Sequence, residues 1–257
     1  MDKGLTWIEI KQGLREAGCP LCNIRDDGTR RNFSFFLDEG VLDPGVRQRL
    51  IASGGWCPRH TRLLLTVESR ELPDHMGTAT IFESLVGAAK HRLDRASKLL
   101  PASDTGGARR WRGLVQRFSA RLRPPARCPA CEAEETREDW LRESFVQTLF
   151  DPNLGSEARA LYEASEGLCY PHLAGCAEHC ATPDQVLELI ALEGPKLERL
   201  GAELGEYLRK HEAVHREEPL GATIDSWARA ARKLAGSEPP GVALERLVET
   251  AKRREAR

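Results

Sequence analysis

Eight residues of this sequence have the types and the spacing of metal ligands. A Cys-Pro-x-Cys segment is followed, after 34 residues, by a Cys-x-x-His segment, and the same pair of segments recurs about a hundred residues later with 37 residues between them. The predicted ligands are Cys19, Cys22, Cys57 and His60 in the first copy and Cys128, Cys131, Cys169 and His172 in the second. Three thiols and one imidazole are the ligand set of a tetrahedral metal site. The sequence therefore predicts two metal sites, each within one copy.

The prolines in these segments predict how the ligands are presented. Proline is tolerated at the first position of a helix, so Cys19 and Cys128 should each precede a helix whose first turn carries Cys22 or Cys131. Thiolates at helix N-termini are stabilised by free backbone amides and by the helix dipole. Because four protein ligands close a site, we expect two structural zinc ions. An iron–sulfur cluster with one histidine ligand and a redox-active cysteine pair are the alternatives.

Two further cysteines have no counterpart in the first copy. Cys176 and Cys180 follow the second Cys-x-x-His segment, and Leu64 occupies the position that corresponds to Cys176. Cysteine is often buried, so we interpret both as core residues of a helix. A redox relay or an exchangeable ligand beside the second site is the alternative.

The segment His211-Glu212-Ala213-Val214-His215 matches the HExxH signature of zinc metallopeptidases. Its charged flanks differ from the buried helix of such enzymes, and the extended form of the signature is absent. We interpret it as a chance match, and a metallopeptidase is the remote alternative function.

Arginines concentrate before the second Cys-Pro-x-Cys segment. Residues 105–131 contain seven arginines and no acidic residue. The candidate contacts to phosphate or nucleic acid are Arg109, Arg110, Arg112 and Arg117. A solvated helix face paired with acidic residues elsewhere is the alternative, which the formal net charge of −1 for the whole chain favours.

The hydrophobic spacing predicts an all-α fold made of two tandem copies of a metal-clamped helical hairpin with long helices. Trp7, Ile10 and Leu14 form one face of a lead-in helix, and the second copy repeats that spacing. The sequence has no run of alternating β-branched residues that would predict a strand. The predicted divisions are a first metal-binding repeat (1–104), a second (105–218) and a C-terminal helical extension (219–257), with a linker at 101–107.

Composition limits the cellular context. The N-terminal segment has a helical pattern and lacks the continuous apolar run of a signal peptide, and no stretch reaches the roughly 20 apolar residues that span a bilayer. In a reducing compartment, eight cysteines are better explained as metal ligands or redox groups than as a framework of disulfides. We therefore expect a cytoplasmic protein without membrane contact.

The duplicated Cys-Pro-x-Cys and Gly-x-Cys-x-x-His motifs resemble those of a family of uncharacterised bacterial proteins. The segments 209–211, 218–221 and 225–227 are similar to a C-terminal stretch of that family. The resemblance implies no activity, and it implies a structural role for residues 210–227. We expect a binding, scaffolding or regulatory module whose partner is another protein or, through the arginine-rich helix, a nucleic acid.

Overall fold

The computed structural model describes residues 3–72, 74–100, 108–215, 217–236, 248–250 and 252–253, with the backbone alone at residues 3–5 and 108–110. Within these ranges the chain is helical and has no strand, which confirms the predicted all-α class. None of the described helices is both long enough and apolar enough to cross a bilayer. The predicted linker at 101–107 and, in the predicted C-terminal extension, residues 237–247, 251 and 254–257 lie outside the described residues.

Eleven α-helices follow one another along the described chain. They are α1 (Lys3–Arg15), α2 (Pro20–Phe35), α3 (Pro44–Ser53), α4 (Pro58–Glu71), α5 (Met76–Ser97), α6 (Ala108–Leu122), α7 (Pro129–Leu149), α8 (Gly155–Ala164), α9 (Tyr170–Glu178), α10 (Pro183–Lys210) and α11 (Ser226–Ala235). A π-helical turn, Phe36–Gly40, extends α2. A short 3-10 turn, Gly221–Thr223, precedes α11.

Local chemistry explains several helix ends. The carboxylate of Asp43 accepts a hydrogen bond from the backbone N–H of Val46, and the hydroxyl of Thr182 accepts one from Gln185, so both residues cap helices that start with proline. Gly54 ends α3 in the left-handed conformation.

The chain forms two compact units that do not follow the predicted order of repeats. Residues 1–28 and 136–257 form unit 1, and residues 29–135 form unit 2. The boundaries therefore lie inside α2 and α7. The predicted divisions at 104/105 and 218/219 were placed from the repeated sequence motifs, whereas the two compact units are defined by contacts between residues. Whether the chain arose by duplication stays a prediction.

Each unit has its own apolar core, and three of the predicted ligands lie in the core of unit 1. In unit 1 the core includes Ile10, Leu21, Phe145 and Tyr162, and it also contains the side chains of four cysteines, one of which is Cys176. In unit 2 the core is centred on residues from the end of α2 and from α3 to α5. That second core contains Phe33, Phe36, Leu37, Leu50, Leu63, Leu64, Val67 and Ile81.

Candidate metal centres

The eight predicted ligands assemble into two clusters with exchanged partners. Cluster A consists of Cys19, Cys22, Cys169 and His172, and cluster B consists of Cys57, His60, Cys128 and Cys131. The prediction that each site lies within one copy was therefore wrong. Each cluster takes its Cys-Pro-x-Cys segment from one copy and its Cys-x-x-His segment from the other. Cluster A belongs to unit 1, and cluster B belongs to unit 2.

Both clusters form where two helix N-termini meet. Cluster A joins the starts of α2 and α9, and cluster B joins the starts of α4 and α7. The first cysteine of each segment precedes the helix, and its carbonyl oxygen accepts the first intrahelical hydrogen bond. These bonds are Asn23 N to Cys19 O, 3.1 Å; Thr61 N to Cys57 O, 2.9 Å; Glu132 N to Cys128 O, 3.2 Å; and Leu173 N to Cys169 O, 2.8 Å. The predicted helix starts are thus confirmed, and every cluster lies at two positive dipole ends.

The spacing of the donor atoms suits a single ion. In each cluster all four donor atoms lie within 4.8 Å of one another. The Sγ–Sγ distances of Cys22 to Cys169 and of Cys57 to Cys131 are both 3.7 Å. The distances from His Nδ1 to the thiol sulfurs run from 3.1 to 3.5 Å. A regular tetrahedron of Zn–S and Zn–N bonds has edges of about 3.8 Å between sulfurs and about 3.6 Å between sulfur and nitrogen.

A glutamate orients each histidine. Nδ1 of His60 faces the thiols of cluster B, while its Nε2 lies 3.0 Å from the carboxylate of Glu134. In cluster A, Nε2 of His172 lies 3.3 Å from the carboxylate of Glu138. Because a carboxylate only accepts hydrogen bonds, Nε2 carries the proton and Nδ1 is left as the ligand atom. The rings are therefore held in the tautomer that a metal needs.

Arginines balance the charge of both glutamates. Arg59 pairs with Glu134, which also accepts a hydrogen bond of 2.7 Å from the hydroxyl of Thr29. Arg25 pairs with Glu138 at 3.0 Å. Burial opposes ionisation of Glu134, but the hydrogen bonds from His60, Thr29 and Arg59 hold its pKa at about 2. Each cluster therefore has a histidine, glutamate and arginine in a row.

Within each cluster the thiols and the imidazole are close enough to shift one another's pKa. Although burial opposes it, hydrogen bonds with Cys128 and Glu134 raise the pKa of His60 to about 10. In cluster B, burial raises the pKa of Cys131 to about 12. Burial also opposes ionisation of Cys128, but hydrogen bonds with His60 and with the backbone at Cys57 and Cys131 together lower its pKa to about 6. In cluster A, the hydrogen bond with Cys169 is the main cause of a lowered pKa at Cys22. Metal binding must therefore displace protons from both sets.

The two clusters differ in burial. All four residues of cluster A are buried, whereas in cluster B only His60 is buried and the three cysteines are partly exposed. Gly236, directly after α11, covers cluster A. A Cβ atom on that glycine would lie 3.7 Å from Sγ of Cys169 and 3.8 Å from Sγ of Cys22. The backbone after α11 therefore packs directly on the thiols.

A buried polar network, which the sequence did not reveal, holds the loop before Cys169. Glu193 accepts hydrogen bonds from the Tyr162 hydroxyl and, at 2.7 Å, from the backbone N–H of Leu168. The ammonium group of Lys196 donates to three carbonyl oxygens of residues 162–165, at 2.7 to 2.9 Å. Lys233 of α11 pairs with Glu193 at 2.6 Å. Helices α10 and α11 thereby position the Cys169 side of cluster A.

The other cysteine pair lies outside both clusters. Cys176 is fully buried in the core of unit 1, and burial raises the pKa of its thiol. Cys180 is partly exposed, and its thiol contacts the carbonyl oxygen of Cys176 at 3.6 Å. This geometry fits the interpretation as core residues for Cys176.

The HExxH segment does not form the helix that a metallopeptidase requires. Helix α10 ends at Lys210, and residues 211–215 follow it as turns. His211 Nδ1 lies 2.8 Å from the carbonyl oxygen of Tyr207, and His215 Nδ1 lies 2.9 Å from the carboxylate of Glu218. Each histidine is thus engaged by a different neighbour.

The arginine-rich segment forms α6, as predicted. Arg112 and Arg117 are exposed, and neither forms an ion pair with any residue that the structure describes. The side chains of Arg109 and Arg110, the other two candidates, lie outside the described atoms.

Comparison with known proteins gives a family and a relative. The profile of a family of unknown function, DUF6062, matches residues 1–240. An uncharacterized 23.9 kDa protein in the xynA 3' region of Caldicellulosiruptor sp. (strain Rt8B.4) is 24% identical over 230 residues, which cover 88% of this chain and 99% of the relative. No solved structure matches the chain.

Proposed function

Since the chain belongs to DUF6062, a family of unknown function, we infer its role from its own residues and propose that it is a binding or scaffolding module built around two structural zinc sites. Cluster A and cluster B would each hold one ion through three thiolates and the Nδ1 atom of a histidine. The observation that carries the proposal is the closeness of the donors, all within 4.8 Å of one another in each cluster. Four protein ligands leave no position open for a substrate, as in structural sites.

The same distances favour one ion over an iron–sulfur cluster. In such a cluster the ligands bind different iron atoms, so their donor atoms stand farther apart than around one ion. The thiol pairs at 3.7 Å are also well beyond the length of about 2.05 Å that a disulfide requires. Three thiolates around one divalent ion leave one negative charge, and Arg25 and Arg59 keep the charges of the adjacent glutamates from adding to it. Zinc suits this mixture of sulfur and nitrogen donors.

A structural role follows from the position of the ligands. Each ion would hold two helix N-termini together. The two ligand segments that it links are far apart in the sequence: His60 and Cys128 of cluster B are 68 positions apart, and Cys19 and His172 of cluster A are 153 positions apart. Linking distant segments in this way supplies folding free energy, as structural zinc does in small domains. The thiolate ligands need a reducing compartment, so we place the protein in the cytoplasm.

Metal analysis with an absorption spectrum, on protein purified without oxygen, tests this proposal. We expect two equivalents of zinc per chain and no visible absorption. After exchange with cobalt, we expect the intense visible bands of tetrahedral thiolate coordination. A brown protein containing iron and inorganic sulfide would refute the zinc assignment and support the iron–sulfur alternative. A zinc content near zero in an ordered, helical protein would refute both.

A further inference from the structure

Positive charge is concentrated in one segment of unit 2. Residues 84–131 contain eleven lysines and arginines and two aspartates, a net charge of +9. Because the whole chain has a net charge of −1, the remaining residues carry −10. The segment corresponds to most of α5, all of α6 and the lead to α7, and α5 and α6 pack against each other. Although the net charge of the whole chain is close to zero, α5 and α6 therefore form a strongly basic pair of helices.

Four arginines in α6 and just after it are exposed and form no ion pair within the described part of the chain. Arg112, Arg117, Arg121 and, just after the helix, Arg123 are all exposed. None of them forms an ion pair with a residue in the described part of the chain. Elsewhere the protein pairs many arginines with carboxylates; Arg127, the next arginine along the chain, pairs with Glu135. The four arginines therefore retain their full charge for an external anion.

An aromatic ring accompanies these arginines. Trp111 is 45% exposed although it begins the apolar side of α6, and Val115, one turn later, is 40% exposed. Arg112 follows Trp111 about 100° around the helix axis, so the exposed indole and the guanidinium lie on adjoining sides of α6. Proteins that bind single-stranded nucleic acid combine these two features: the bases stack on exposed aromatic rings, and the phosphates contact positively charged side chains.

We propose that the exposed side of α6 binds single-stranded nucleic acid. Arg112, Arg117, Arg121 and Arg123 contact phosphates, and Trp111 stacks on a base. This inference names a partner for the proposed binding function, but it does not depend on which metal the clusters hold. The exposed indole favours nucleic acid over an acidic protein as the partner, because a base can stack on the ring whereas an acidic protein supplies no base.

Fluorescence anisotropy with a labelled 20-nucleotide oligouridine, measured on the full metal-loaded chain at several salt concentrations, tests the proposal. Four phosphate contacts to a single strand predict a slope of log K against log salt of about −3. Arg112→Gln, Arg117→Gln and Arg121→Gln combined should reduce the steepness by about 2 and the affinity at 0.1 M salt by about 100-fold. Trp111→Ala should weaken binding by about tenfold, and Trp111→Phe should largely restore it.

A matched variant separates this surface from the effect of net charge. Arg15, Arg49 and Arg70 are also exposed, and their combined change to Gln removes the same three charges. We expect that control to bind the oligonucleotide within about twofold of the unmodified chain, with the slope unchanged. Equal losses in both triple variants would overturn the assignment to α6. So would poly-glutamate or a duplex of equal length binding as tightly as the oligouridine.

The metal content of each variant is measured alongside. Binding lost in the α6 variant with two zinc ions retained supports the surface and leaves the metal proposal intact. Absence of oligonucleotide binding by the unmodified, metal-loaded chain at 50 mM salt overturns the nucleic-acid proposal alone. Failure of the zinc proposal has its own signature, which is iron or no metal in the purified protein.

Discussion

The glutamates behind the two histidines are the residues most specific to metal chemistry after the ligands themselves. Glu134 and Glu138 contact Nε2 of His60 and His172, and each is balanced by an arginine. Partners of this kind set the tautomer and the orientation of a ligating ring, and their loss typically costs 10- to 100-fold in metal affinity. Their role is therefore measurable separately from the ligands.

We predict that Glu134→Gln weakens zinc binding at cluster B by about 10- to 100-fold, because the amide is neutral and holds the imidazole less firmly. Competition with a chromophoric chelator measures the affinity. Glu135→Gln is the matched control, since Glu135 lies next to Glu134 on α7 but pairs with exposed Arg127 instead of a histidine. Equal affinities for the two variants would show that the carboxylate behind His60 does not support the metal.

A glycine in the loop before Cys169 has two reasons to lack a side chain. Gly167 has a φ angle of +76°, and a Cβ there would lie 2.3 Å from Oε1 of Glu193 and 2.6 Å from Cδ of Lys196. Gly167→Ala should therefore lower the free energy of unfolding by about 2 to 4 kcal/mol, through backbone strain and displacement of a buried network. Denaturant unfolding of the metal-loaded protein measures the change.

Gly201→Ala provides the comparison for that change. Gly201 lies within α10, and a Cβ there would meet no atom within 4 Å. We expect this variant to gain up to about 1 kcal/mol, because alanine favours helix over glycine. If Gly167→Ala were as stable as Gly201→Ala, the Glu193 network would not constrain the loop.

At the scale of single residues, the sequence predicted the ligands but not their supports. The types and intervals of the cysteines and histidines suffice to identify the eight residues that form the two clusters, because paired Cys-x-x-Cys and Cys-x-x-His segments rarely occur together by chance. Glu134, Glu138 and Glu193 are three of 39 acidic residues. Only the place of Glu134, one helical turn after Cys131, gave a local signal. Contacts across the fold select the other two, and no sequence interval records them.

At the scale of helices, the exchange of partners between copies was the feature that sequence could not provide. The two ligand sets are chemically identical, so either pairing satisfies a metal. The choice is made by packing between helices, which brings the start of α2 to α9 and the start of α7 to α4. Hydrogen bonds from α2 to α7, such as Arg25 to Glu138 and Thr29 to Glu134, lie directly beside the clusters. The helix starts themselves were predictable, because proline and glycine mark them locally.

Paired substitutions test the exchange directly. Cys57→Ser with Cys128→Ser removes two ligands of cluster B, so we expect one zinc equivalent to remain. Cys19→Ser with Cys57→Ser removes one ligand from each cluster, so we expect both ions to be lost after a brief chelator challenge. Pairing within the copies predicts the reverse outcome for both variants. Metal stoichiometry after gel filtration decides between the two arrangements.

At the scale of the whole molecule, the two units protect their clusters to different extents. Cluster A is buried in the core of unit 1, the network of Glu193, Lys196 and Lys233 fixes its loop, and Gly236 packs on its thiols. Cluster B has three partly exposed cysteines in unit 2. Ligand exchange requires access of a competing group to the metal or the thiolates, so exposure should govern the rate.

We therefore predict that zinc leaves in two phases when a chelator in excess is mixed with the metal-loaded protein. Cluster B should release its ion first, at least tenfold faster than cluster A, because its thiolates are accessible without opening a core. Absorbance of the zinc–chelator complex measures both phases. The Cys57→Ser, Cys128→Ser variant should lack the fast phase, whereas Cys19→Ser with Cys22→Ser should lack the slow one. Release in one phase, or loss of the slow phase in the cluster B variant, would contradict the assignment of the more protected site to unit 1.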